Sequence, residues 1–340
     1  MKMRKAFIAA LVACSVASIG AQDRQATPVK GTYKVPRTPD GRPDLQGYWT
    51  NLTYTPFERP KELANKPLYS EQEAVDAFNK AVGDSQNQVV HYVNTDFAAT
   101  PVQSGAKPNR RTSLVIDPAD GKVPPLTPDA QKREAARLAA DRPAPLARSW
   151  RDDRGTVWCV FHDRAVPSIL APYGSNYHIV QSRDWVVLEY EWNSERRLIP
   201  LDGRPHGPSS VRTYAGDARG HWEGDTLVVE TLNFNEKRNF FGSPGTFKLV
   251  DRFTRVADDT IMHTYTVEDS STWTRPWTVE LPMHRISGPM LEYACNENNA
   301  DAFTTLRNAR AQEAGKLPPP DRTKNVDDAK ATIIERVDKK

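Results

Sequence analysis

Between residues 176 and 297 the chain passes through eight short segments in which apolar or aromatic residues recur at every second position. They are NYHIVQS (176–182), WVVLEYEW (185–192), RRLIPL (196–201), DTLVVETLNF (225–234), FKLVDRFTRV (247–256), DTIMHTYTVED (259–269), WTVELPMH (277–284) and MLEYACNE (290–297). A period of two is the mark of strands rather than helices. The links NSER, VADD and RISGP are short enough for hairpin turns, which makes neighbouring strands antiparallel. Two upstream stretches, LQGYW and SLVID, are further strand candidates. The expected fold is mainly β, an antiparallel up-and-down barrel with a few short helices, with a sandwich as the alternative.

Their composition admits two readings of what lies behind these strands. In GHWEGDTLVVETLNF (220–234), Asp225, Leu227, Val229 and Thr231 alternate with Thr226, Val228, Glu230 and Leu232, so both faces mix polar and apolar groups. Glu189 and Glu191 stand opposite Leu188 and Tyr190, and Glu280 stands opposite Val279 and Leu281. A small filled barrel makes its inward positions nearly all apolar, whereas one enclosing a ligand cavity tolerates inward polar groups. A half-solvated sheet with outward glutamates is the bland alternative.

The N-terminus reads as an export signal: charged MKMRK, apolar AFIAALVACSVAS, then small residues, with cleavage expected near Ala21. LVAC at 11–14 offers a rival reading, a lipid anchor on Cys14, although the apolar run continues past it. Lys2, Arg4 and Lys5 account for the whole formal charge of +3, so the mature chain is near neutral and shows no basic stripe. Nucleic acid is therefore not an expected partner. A periplasmic or secreted location and a small-molecule ligand or substrate are. Cleavage leaves Cys159 and Cys295, which in an oxidising compartment most simply form one disulfide; a cysteine nucleophile is the alternative.

Residues 22–44 lack periodicity and read as an extended arm, followed by one barrel domain over 45–316. Helices are expected at 69–82, where Ser70 and Glu73 form a capping box, and at 127–141, where Thr127 caps and Pro128 starts the first turn. A C-terminal helix is expected at 301–314, with a weakly ordered tail over 317–340.

Several stretches together resemble a family of exported bacterial proteins with no settled activity. They are PDGRPDLQGYWTN (39–51), RTSLVIDPADGKVPPLTPDAQ (111–131), LIPLDGRPHGP (198–208), GDARGHWEGDTLVVETLNF (216–234), LVDRFTRVADDT (249–260), STWTRPWTVELPM (271–283) and EYACNEN (292–298). In that pattern a histidine often follows the second cysteine, where this chain has Asn296. Gly47-Tyr48-Trp49 also looks like the Gly-x-Trp opening of a lipocalin (calycin) barrel, in which the tryptophan seals the closed end.

Chemistry has several possible seats. PLDGRPHGP (200–208) is a rigid loop offering Asp202, Arg204 and His206; His206 is a possible general acid or base, with Arg204 binding a substrate oxygen. The alternative is a turn whose Arg and His tie down backbone. His221, beside Trp222 and near Asp225, is a second possible base. Trp273, Arg275 and Trp277 share a face if STWTRPWT is extended, which would stack the cation between two indoles or clamp a ring. Glu191, Glu280 and Glu292 are acid/base candidates if they face a cavity. There is no HExxH, GxSxG or glycine-rich phosphate loop, so no metal and no nucleotide or flavin cofactor is expected. The two functional expectations are a cofactor-independent lyase, isomerase or hydrolase acting on a small organic or glycan-derived substrate, and a non-catalytic binder of an apolar or aromatic molecule. Convergence of His206 and His221 with a glutamate in one pocket would favour the first.

Overall fold

A computed structural model describes residues 33–87, 105–140, 159, 166–168, 175–237, 239–297 and 301–317. The expected leader with Cys14, most of the arm, the tail beyond 317, and His91 and His162 lie outside these residues.

The strands are β1 (Gly47–Thr50), β2 (Val115–Asp117), β3 (Asn176–Gln181), β4 (Trp185–Tyr190), β5 (Arg196–Pro200), β6 (Asp217–Glu223), β7 (Thr226–Leu232), β8 (Lys248–Ala257), β9 (Thr260–Glu268) and β10 (Trp277–Arg285). The helices are α1 (Glu71–Asn87), α2 (Pro128–Ala140) and α3 (Asp301–Glu313). Ser70 and Glu73 satisfy each other's backbone N–H at the start of α1, and Thr127 Oγ1 accepts from Ala130 N at the start of α2.

Nine strands form a nearly closed barrel in the order β5-β4-β3-β1-β10-β9-β8-β7-β6, and β2 pairs with the start of β10, whose end pairs with β1. Consecutive strands from β3 to β5 and from β6 to β10 meander, and β1 closes the circuit by pairing antiparallel with both β10 and β3. Every pair along this path is antiparallel, so an odd number of strands leaves β5 and β6 pointing the same way. Among the described residues no ladder joins those two, and they meet as a seam of side chains. Gly220 of β6 makes that approach possible: a Cβ there would lie 2.6 Å from Ile199 Cγ2 and 2.8 Å from Leu201 Cδ2. Proline is tolerated in a strand whose edge is unpaired, and Pro200 sits in β5 on this seam.

Two expectations need correction. MLEYACNE is not a strand, and RISGP is not a hairpin turn. The place beside β10 is taken by β1, and Pro289 has no N–H to give a ladder. The missing strand is instead β6, DARGHWE, whose inward positions are Ala218, Gly220 and Trp222, the first two too small to show an apolar alternation.

One end of the barrel carries tight turns and is sealed. Trp49 is fully buried there, its indole N–H donates to Leu45 O at 2.9 Å, and the guanidiniums of Arg285 and Arg255 lie 4.5 and 5.7 Å from its rings. Arg255 in turn donates to the carbonyls of Asp44 and Asp258 at 2.8 Å each. Cation–π contact and carbonyl donation together compensate a guanidinium taken largely out of water. The other end holds the longer connections, and an aromatic group of Phe234, Phe240, Phe247, Trp273 and Trp277 closes against it.

Candidate functional site

The inward faces of the central strands carry apolar and polar groups side by side. Leu227, Val229 and Thr231 point inward from β7, as do Leu249, Asp251 and Phe253 from β8 and Ile261, His263 and Tyr265 from β9, all buried. The polar members are not scattered. Arg197 of β5 donates to Thr231 Oγ1 at 2.6 Å and to Asp251 Oδ2 at 2.7 Å. The other oxygen of Asp251 bonds His263 Nε2 at 2.8 Å, and the imidazole stacks on Phe253 with centroids 4.2 Å apart. The Tyr190 hydroxyl is a further partner of Arg197. Beside this group, Asn51 Nδ2 donates to Tyr177 Oη and Ser168 Oγ, and Tyr265 donates to Ser168 O.

Burial works against the charge of Asp251, yet Arg197 and His263 beside it hold its carboxyl below the ordinary range. Burial raises the phenol of Tyr190 to about 12 and pushes those of Tyr177 and Tyr265 higher, so all three stay neutral donors. With Asp251 ionised, His263 Nε2 is the donor of the bond between them. Among the described residues, Arg197 Nε and Asn51 Oδ1 beside this group are buried without a hydrogen-bond partner, as are the inward indole N–H groups of Trp222 and Trp277. A donor and an acceptor left open in a low-dielectric interior are costly unless something else engages them.

The histidines, Arg204, Arg275 and the glutamates singled out from the sequence lie elsewhere and do not converge. His206 is on the outer wall, where the 201–216 connection crosses β6 and β7. Its Nδ1 lies 3.1 Å from Asp217 Oδ2 and its Nε2 3.2 Å from Glu230 Oε1. Gly207 N donates to the same Asp217 oxygen at 2.8 Å, and Arg219 donates to Pro205 O at 2.9 Å. Arg204 is exposed, chelates Asp202 and covers Trp185 at 5.2 Å. Asp202 is thereby held down at about 2 by Arg204. His221 is exposed and bonds Glu223 at 3.0 Å, while Asp225 pairs with Arg37 instead. Trp222, its neighbour, faces inward, as adjacent strand residues must.

Arg275 does not sit between the indoles. The segment turns about Asp269, which accepts from Ser243, Thr246, Ser271 and Thr272, so it is not extended there. Trp273 and Trp277 meet edge to face at 5.5 Å, buried, while exposed Arg275 pairs with Asp117 at 3.0 and 3.2 Å. Glu191 is half-buried where β4 ends, and burial raises its carboxyl, with Asn176 opposing. Glu280 faces outward and takes both donors of Arg111, at 2.6 and 3.1 Å. Glu292 is exposed. Cys159 and Cys295 form a disulfide.

The inner group was visible in the alternation. In LVDRFTRV, Asp251 falls on the face of Leu249 and Phe253, and in TIMHTYTV His263 falls on the face of Ile261 and Val267. A charged or titratable group inside an apolar period-two face is the signal that points to it. Among the described residues no three His, Cys, Asp or Glu side chains gather as a metal site, and no helix is long and apolar enough to cross a membrane. Comparison with family models, curated proteins and solved structures gives no match.

Proposed function

We propose that this is an exported enzyme performing general acid–base chemistry on a small oxygen-bearing organic substrate at the polar wall of its barrel. The reading rests on one observation: a buried His263–Asp251–Arg197 group in which Arg197 Nε has no hydrogen-bond partner among the described residues. Asp251 orients His263 and stabilises its charged form, the part a carboxylate plays beside a catalytic imidazole. His263 Nδ1 would take or return the proton, and Arg197 Nε would hold the substrate oxygen on which charge develops. Neutral tyrosines at 177, 190 and 265 supply hydroxyl donors in the same wall. Lyase, isomerase and hydrolase chemistry all fit such a proton relay.

Binding without chemistry is the second reading. It is favoured by the outward placement of His206 and His221 and by the aromatic share of the inner wall.

The test is tryptophan fluorescence of the mature protein against aromatics, terpenoids and sugars, since Trp49, Trp222 and Trp277 face inward. Each ligand that quenches is then incubated with the protein and analysed by mass spectrometry. Consumption by wild type, lost in His263→Asn, supports the enzyme. Return of every bound ligand unchanged favours the carrier. Loss of turnover in His206→Ala, with His263→Asn active, would move the chemistry to the outer wall.

A further inference from the structure

A second recess lies outside the barrel, between α1 and the strand-flanking segments 53–56 and 107–111. It measures about 220 Å³ and is lined on one side by Ala74, Ala77, Phe78 and Ala81 of α1 and on the other by Tyr54, Pro56 and Asn109. The three alanines follow at intervals of three and four, so they share one helix face and leave it flat. Tyr54 meets Phe78 edge to face at 5.6 Å, which sets an aromatic wall at one end. A cavity of roughly 150 Å³ accepts a benzene ring, so this one has room for a ring with one or two substituents.

The polar groups of the recess are incomplete. Tyr54 Oη and Asn109 Nδ2 are buried without a hydrogen-bond partner among the described residues. The amide of Asn109 is oriented by its own Oδ1, which accepts from Arg111 N at 3.0 Å, so the open end is the donor. Charge points the same way. Among the described lining residues, Lys80 pairs with Asp84 at 2.5 Å, which leaves Lys107 and Arg111 as the cations whose partners must be sought elsewhere. The carboxylates that pair with Lys107 and Arg111, those of Asp259 and Glu280, do not line it.

We propose that this recess is a binding site for a small planar aromatic anion, its ring against the alanine face of α1 and its oxygen on Asn109 Nδ2 and Tyr54 Oη. The site is separate from the inner wall of the barrel and does not depend on the chemistry proposed there. A saturated ring lacks the planar face that would lie against the alanines, and a neutral ester forfeits the attraction of Lys107 and Arg111.

Calorimetric titration of the mature protein with 4-hydroxybenzoate, its methyl ester and cyclohexanecarboxylate tests this. Saturable binding of 4-hydroxybenzoate is expected below about 1 mM, with the other two at least about tenfold weaker. Asn109→Ala is expected to weaken it about tenfold, and Ala77→Phe to abolish it by filling the recess, both with melting temperatures close to wild type. His263→Asn is expected to leave it unchanged. Absence of saturable binding, equal binding of the methyl ester, or binding that survives Ala77→Phe but is lost in His263→Asn would each overturn the proposal.

Discussion

Arg197 and Asp251 lie 2.7 Å apart with 3% and 1% of their side chains exposed, and they join strands on opposite sides of the barrel seam. That seam has no ladder between β5 and β6, so the pair spans the place where backbone bonds are missing. A buried ion pair can be worth less than an apolar replacement, but removing one partner strands the other charge. Asp251→Asn is therefore expected to cost about 3–5 kcal/mol. The double change Arg197→Met with Asp251→Leu is expected to recover most of it. Urea denaturation of the three proteins measures both, and equal losses in the single and double variants would show that the seam needs the charges themselves.

The same seam shows what the sequence could and could not disclose. Long alternations such as those at 247–256 and 259–269 carry the strand pattern in their residues, because one face must be apolar to face the interior. Strand β6 escaped because a close approach demanded Gly220 and Ala218 on its inner face, and small residues give no period. The site escaped for a related reason. His206 and Arg204 stand in a conspicuous Gly/Pro loop, but that loop straps the outside of β6 and β7. Asp251 and His263 sit in the strands, where only the partner strands' identity and register reveal that they meet.

Seam packing makes Gly220 sensitive. Its missing Cβ would press on Ile199 and Leu201, both side chains of the facing strand end. Overpacking of a fitted core costs about 1–3 kcal/mol, so Gly220→Val is expected to fall in or above that range and Gly220→Ala near its lower end. Gly83 in α1 is the contrasting position, with nothing within 4 Å of its would-be Cβ. Gly83→Ala is expected to stabilise by about 0.5–1 kcal/mol through helix propensity. Thermal melts of the three variants test the ordering, and a Gly220→Val protein as stable as wild type would remove the seam from the account.

The Cys159–Cys295 bridge closes a separation of 136 residues. In the chain-entropy model a loop of that length is worth about 5 kcal/mol through the unfolded state. Reduction, or Cys159→Ser with Cys295→Ser, is expected to lower the urea midpoint strongly while leaving the far-ultraviolet spectrum of the folded protein unchanged. A midpoint insensitive to reductant would mean that the reduced unfolded chain is already compact.

Acid sensitivity should have a specific source in His284. This residue faces outward from β10 but is covered, and burial lowers its pKa from an ordinary 6.5 to about 4, with Lys107 lowering it further and Asp259 opposing. Thr260 Oγ1 lies 3.4 Å from its Nδ1. Because the folded value lies below the unfolded one, the unfolded chain takes up the proton first as pH falls. The contribution is fully present above about pH 6.5, declines through the interval to about 4, and changes no further below it. A shift of that size corresponds to a few kcal/mol at most. Asp251, whose folded carboxyl is also lowered, loses its contribution only at still lower pH, beneath the ordinary carboxylate range. Stability measured by urea at pH 7, 5.5 and 4.5 is therefore expected to fall in wild type and to stay nearly level in His284→Gln. An equal decline in both proteins would assign the acid limb to other groups.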